Sequence, residues 1–187
     1  MTVSTLDPRT ALVVIDLQKG IVAYPTAHPA SEIVSHASAL ADAFRRHGLP
    51  VVLVNVTGGA PGRTERAPNT AARAVDWAEL VPELNRQPQD HAVTKRTWGA
   101  FNHTDLEAYL KKQGVTQVVL AGIATSIGVE STARHAHELG FHVTLAVDAM
   151  TNMSADAHAH SVASIFPRLG ETGSTGEILR LLDASRG

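Results

Sequence analysis

Residues 117–140 read QVVLAGIATSIGVESTARHAHELG, and the fold follows from how this stretch divides. Val118-Val119-Leu120-Ala121 is a continuous apolar run, the pattern of a strand buried on both faces. Gly122 closes the run, and the short, small-residued segment Ile123-Ala124-Thr125-Ser126-Ile127-Gly128 follows. From Val129 the spacing is helical, with Val129, Ala133, Ala136 and Leu139 on one side and Glu130, Arg134 and His137 elsewhere. Gly140 supplies a left-handed stop. The reading is strand, tight turn, helix. Such a turn lies at the carboxyl end of a parallel strand, where open α/β sheets place their ligands. The helix start adds free backbone N–H groups and a positive dipole end.

The rest of the chain repeats this alternation. Ala11–Ile15 reads as the first buried strand, ending at Asp16. Ser31–His47 reads as a helix stopped by Gly48, and Val51–Val56 as the second strand. Thr57–Thr70, TGGAPGRTERAPNT, is a loop, either a surface excursion or a lid over a site. Trp77–Leu84 is expected to be a short helix, and His91–Thr94 a short third strand ending at Lys95. Thr104–Gln113 is expected to be a helix opened by a Thr104/Glu107 capping box. Phe141–Val147 reads as a fifth strand ending at Asp148, and Ser154 caps a helix running to about Ile165. A weak sixth strand near Arg168-Leu169 and a helix over Thr175–Leu182 complete one domain, residues 1–187. Alternating strands and helices predict an α/β fold with a parallel sheet covered on both faces.

Composition narrows the function classes. The 187 residues carry a formal net charge of −2 with no basic stripe, which argues against nucleic acid as partner. No apolar run approaches the roughly 20 residues that span a bilayer, so no membrane association is expected. The start, MTVSTLDPRT, has neither a charged nor an apolar signal region. There is no cysteine, which fits a cytoplasmic protein and excludes a thiolate nucleophile. No GxGxxG follows the first strand, so nothing supports a dinucleotide cofactor, and none is expected. His135 and His137, and likewise His158 and His160, are two apart on helices and do not share a face. No metal is expected.

Three groups stand just past strand ends: Asp16, Lys95 and the turn at Gly128. All carboxyl ends of a parallel sheet point one way, so these groups can converge. Read singly, the Asp is equally a turn former, and the Lys a solvated side chain. A carboxylate beside an ammonium has its pKa lowered, while burial raises it. Such a pair in a half-buried cleft holds a proton that moves easily.

Three segments in this order, VVIDLQKGI, TKRTWGAF and GIATSIGVESTA, resemble the motifs of the isochorismatase-like hydrolases, over roughly Ala11 to Leu182. The resemblance implies a Rossmann-like three-layer α/β/α sandwich with a six-stranded, mainly parallel sheet in the order 3-2-1-4-5-6. It implies Asp16, Lys95 and Gly128 as the catalytic positions. It places Gln18, Trp98, Phe101, Ile123, Ala124, Thr125 and Ser126 around a small-molecule substrate, with a cis peptide at Ile123–Ala124. The amidases of this family, such as nicotinamidase, carry the nucleophilic cysteine where this chain has Gly128; the true isochorismatases carry glycine there. In glycine members the Asp protonates the methylene carbon of an enolpyruvyl ether, and water attacks the resulting oxocarbenium-like carbon. The Asp-x-His pattern of metal-binding nicotinamidases is absent from Tyr24–His28, YPTAH. The resemblance also implies a homodimer or larger homo-oligomer. An amide or ester hydrolase in which Asp16 activates water, and a ligand-binding scaffold without turnover, remain the alternatives. Arg63, Arg66 and Arg96 are the cations available to a dianionic substrate, and none belongs to a motif tied to it.

Overall fold

The computed structural model describes residues 3–65 and 72–186. Six strands, β1 (Thr10–Ile15), β2 (Val51–Val56), β3 (His91–Lys95), β4 (Gln117–Ile123), β5 (His142–Thr151) and β6 (Glu171–Gly173), form one sheet. Its order is β3-β2-β1-β4-β5-β6, and every pairing is parallel. The helices are α1 (Lys19–Val22), α2 (Ala30–Arg46), α3 (Leu106–Lys112), α4 (Glu130–Glu138), α5 (Ala155–His160) and α6 (Thr175–Arg186). None is long and apolar enough to cross a membrane.

The alternation of side chains along β1 sorts the layers. Leu12 and Val14 pack with Ile33, Leu40 and Phe44 of α2 and Ile178 and Leu182 of α6. Ala11, Val13 and Ile15 face the opposite layer, with Leu106 and Leu110 of α3 and Ala133 and Ala136 of α4. Both faces of the sheet are therefore covered, which is why β1 and β4 are apolar at nearly every position. Strand order reverses direction between β1 and β4, so a crevice opens where their carboxyl ends part.

Several local expectations are corrected. Trp77–Leu84 is not a helix: it holds turns and a single 3₁₀ turn at Pro82–Leu84, and Leu80 bridges to Gln18. The capping box at Thr104 does not form, because Glu107 pairs forward with Lys111. Thr104 Oγ1 donates instead to Ala100 O at 2.6 Å and accepts from Leu106 N at 3.3 Å. The fifth strand does not stop at Asp148. Leu120 pairs with Leu145 but Gly122 with Met150, so β5 bulges and continues to Thr151. The Asp148 carboxylate then accepts bonds from Thr175 N (2.7 Å) and Thr175 Oγ1 (2.8 Å), capping α6. The last strand lies at Glu171–Gly173 rather than Arg168-Leu169, which fall at and just after a 3₁₀ turn. Of the expected loop Thr57–Thr70, residues 57–65 form no helix or strand, and 66–70 lie outside the described residues.

Gly122 sets how closely β4 approaches β1. Its φ is +122°, and a Cβ there would lie 2.0 Å from Ile15 O. Gly122→Ala is expected to lower the unfolding free energy by about 3 kcal/mol or more, because backbone cannot yield as a flexible side chain does. Denaturant unfolding followed by circular dichroism measures this, and a variant as stable as its parent refutes it.

Candidate active site

β1 ends at Ile15, and Asp16 leaves the strand with φ of 53°, a conformation Asp tolerates better than most residues. Its amide still donates to Val54 O at 2.9 Å, which anchors the turn to β2. Lys95 is the last residue of β3, two strands away. Its ammonium reaches past β2 and donates to Asp16 Oδ2 at 2.7 Å and to Thr97 O at 3.1 Å. The Lys95 side chain is 2% exposed and that of Asp16 7%. Asp16 Oδ1 is buried and has no hydrogen-bond partner.

These surroundings act in opposite directions on Asp16. Burial raises its pKa, while the charge and hydrogen bond of Lys95 lower it; burial wins, and the carboxyl is pushed up to about 6. An acid that ionises near neutrality can give up or take a proton under ordinary conditions.

After β4 the chain forms one wide π-helical turn, Thr125–Val129, that runs directly into α4. Ile127 N and Val129 N both donate to Ala124 O, at 3.1 and 3.2 Å. The Ile123–Ala124 peptide bond is cis. Gly128 faces the acid: a Cβ there would lie 3.4 Å from Asp16 Oδ2, 3.6 Å from Trp98 O and 3.0 Å from Ile15 Cγ2. Any side chain at 128 would stand against the carboxylate.

Asp16, Lys95, Gly128, Trp98, Ile123 and Ala124 line one cavity of about 240 Å³. The other four residues expected around substrate lie elsewhere. Gln18 is fully buried and ties β2 to residue 77, accepting from Val56 N at 2.7 Å and donating to Val56 O and Trp77 O. Phe101 packs in the core near Phe141 and His135. Thr125 Oγ1 bonds His158 Nδ1 at 2.8 Å, and Ser126 Oγ accepts from Asn152 Nδ2 at 2.6 Å. Burial, and then the neighbouring His28, hold the His158 ring below the usual imidazole value. The two hydroxyls are thus turned toward α5 and the end of β5.

Seven lining residues lie outside the three sequence motifs: Val56, Gly58 and Gly59 at the end of β2 and just after it, and Tyr24, Arg73, Trp77 and Met153. Tyr24 and Met153 are partly exposed apolar side chains, and only that kind of exposure marks them. Arg63 does not line the cavity, Arg66 lies outside the described residues, and Arg96 lines an adjoining cleft. Among the described residues no three His, Cys, Asp or Glu side chains are grouped to hold a metal.

The comparisons place this fold in a family. The family model of the isochorismatase domain matches residues 10–177. The isochorismatase family protein YwoC of Bacillus subtilis is 44% identical over 178 residues, covering 91% of this chain and 93% of the relative. YecD of Escherichia coli O157:H7, of the same family, is 43% identical over 182 residues, covering 92% and 96%. The structure of an isochorismatase family protein from Burkholderia thailandensis superimposes with a TM-score of 0.92 at 39% identity, covering 96% of this chain and 98% of that one.

The Asp16 proton carries a sign for stability. Its pKa is 3.8 in an unfolded reference and about 6 here, so the folded chain holds the proton more tightly. This group's contribution is complete below pH 3.8 and is lost as pH rises through 6. Carboxyl-carbon NMR is expected to show Asp16 titrating near 6. In Lys95→Met, which removes the charge and hydrogen bond that lower the pKa, the midpoint should move higher still. A midpoint near 4 in the parent, or a downward move in the variant, contradicts this account.

Proposed function

Because this chain belongs to the isochorismatase family of hydrolases, we propose that it cleaves an enolpyruvyl (vinyl) ether, with isochorismate as the candidate substrate. Asp16 is the general acid, and no covalent intermediate forms. The observation that carries this reading is Asp16, which lines a small cavity and has one buried carboxyl oxygen, Oδ1, without a hydrogen-bond partner. The absence of any cysteine removes the thiol route. Gly128 leaves the space beside the acid open to substrate or water.

The step follows from where the proton sits. Lys95 holds Oδ2, so in this reading the proton resides on Oδ1, the carboxyl oxygen without a partner. It passes to the methylene carbon of the vinyl ether. The ether oxygen stabilises the positive charge that forms on the adjacent carbon, and water adds there. Loss of a proton from that water regenerates the carboxylic acid. The hemiketal collapses to pyruvate and the alcohol. Lys95 is the orienting group: its ammonium holds Oδ2 and keeps the pKa near 6 rather than higher.

The same pKa favours a second reading, in which ionised Asp16 activates water against an amide or ester. The two readings predict opposite pH limbs. For the acid, kcat/KM falls as pH rises through about 6; for the base, it rises there. The assay pairs pyruvate release from isochorismate with ammonia release from an amide panel. Asp16→Asn should reduce turnover by about 10²-fold or more while leaving the circular dichroism spectrum unchanged. Pyruvate release that survives the substitution refutes the role of Asp16. Ammonia without pyruvate supports the second reading, and binding without either product makes the chain a ligand-binding scaffold.

A further inference from the structure

We infer that His158 is a positioning residue for the active-site turn, that it holds this turn through Thr125 only while its imidazole is neutral, and that the His28–His158 pair thereby makes the cavity wall sensitive to acid. The inference rests on the reading of this cavity as the active site, but it concerns what places the wall rather than which bond is cut.

Three lining residues stand on three separate segments: Tyr24 on the loop after α1, Ile127 on the π-helical turn and Met153 just after β5. One set of polar contacts ties these segments together behind the wall. Ala27 N donates to Asn152 O at 2.8 Å. Asn152 Nδ2 donates to Ser126 Oγ at 2.6 Å, and Asn152 Oδ1 accepts from Met153 N at 2.8 Å. His28 N donates to Thr151 Oγ1 at 3.1 Å. His158 of α5 completes the set through Thr125, at 2.8 Å.

The partners decide where the protons sit. Thr125 is fully buried, and among the described residues its hydroxyl bonds only His158 Nδ1. The hydroxyl therefore donates to Nδ1, and the ring carries its proton on Nε2. The opposite tautomer would leave a buried hydroxyl hydrogen without an acceptor. His28 repeats the arrangement: Thr151 Oγ1, which accepts its backbone N–H, also stands 3.1 Å from its Nδ1. A second proton on His158 can go only to Nδ1, the atom that holds Thr125. It reverses that bond and strands the hydroxyl hydrogen. The neighbouring tether from Asn152 to Ser126 does not titrate, so the turn shifts while the chain stays folded.

The charges nearby act in the same sense. The His28 and His158 rings meet edge to face with centroids 4.8 Å apart, so charge on one opposes charge on the other. Glu130, at the start of α4, is engaged by Arg134 and Ser161. Asp156 and His160 are exposed and, two residues from His158, lie on other faces of α5. Tyr24, on the His28 loop, lines the cavity. Burial and His28 are the influences on the His158 ring, and both disfavour its charged form.

The test reads the wall directly and needs no turnover. Both tryptophans of the chain line the cavity, so their emission reports its shape. An Asp16→Asn background removes the titration of the acid. In that background the emission is expected to shift in one step as pH falls through the imidazole range. Long-range proton–nitrogen NMR should show His158 as the Nε2–H tautomer at neutral pH, titrating together with that step. His158→Asn puts an amide oxygen where Nδ1 stood; it should keep the neutral-pH emission and abolish the step. His158→Leu offers no acceptor and should shift the emission at every pH. An Nδ1–H tautomer at neutral pH, a step that survives in His158→Asn, or parent-like emission in His158→Leu overturns the inference. Absence of pyruvate release with all of the expected signals present supports the inference and counts against the ether reaction alone.

Discussion

A single buried ion pair, Asp16 with Lys95, organises the carboxyl edge of the sheet. The two residues are 79 apart in sequence and 2.7 Å apart in space. They meet because β1 and β3 run parallel with only β2 between them. Neither charge would be tolerated there alone, since a lone buried ion forfeits its hydration. Together they remain unequal. The ammonium is satisfied by a carboxylate oxygen and the Thr97 carbonyl, while one carboxylate oxygen has nothing. Burial of the carboxylate is what lifts Asp16 to near neutrality against the pull of its partner. Incomplete solvation of the carboxylate thus sets both the cost of burying the pair and the raised pKa of Asp16.

Around that pair, the shape of the site depends on side chains that two glycines lack. Gly122 has no side chain to hold β4 away from β1. Gly128 has none to fill the space against the carboxylate. Both lie within one short stretch, and the wide turn between β4 and α4 carries the second of them up to the acid. The two hydroxyls expected around substrate are engaged behind this turn, Thr125 by His158 and Ser126 by Asn152. Gln18 in turn ties β2 to the segment carrying Trp77. These residues shape the cavity by fixing backbone, at one remove from its lining.

The layered fold was legible in the chain because buried parallel strands need uninterrupted apolar runs, and the runs of β1, β2 and β4 are unmistakable. Short or irregular elements were not. β6 has three residues, too few for periodicity to register. The extension of β5 past Asp148 depends on a bulge against β4. The Thr104 cap lost its Glu107 partner to Lys111, a choice that side-chain geometry makes and spacing cannot.

For the site, strand ends named Asp16, Lys95 and the turn at Gly128 as groups that could converge, and the resemblance of three segments to family motifs singled them out. Sequence also determined that no thiol chemistry is open to this chain. Only the folded structure decided which neighbours line the cavity. It moved Phe101 into the core and Gln18 under the loop, and it brought in Tyr24, Trp77, Met153 and Arg73 from segments that carry no motif. The physical reason is that a strand end is a local property, whereas a cavity wall is made by whichever distant side chains the packing leaves facing the same space.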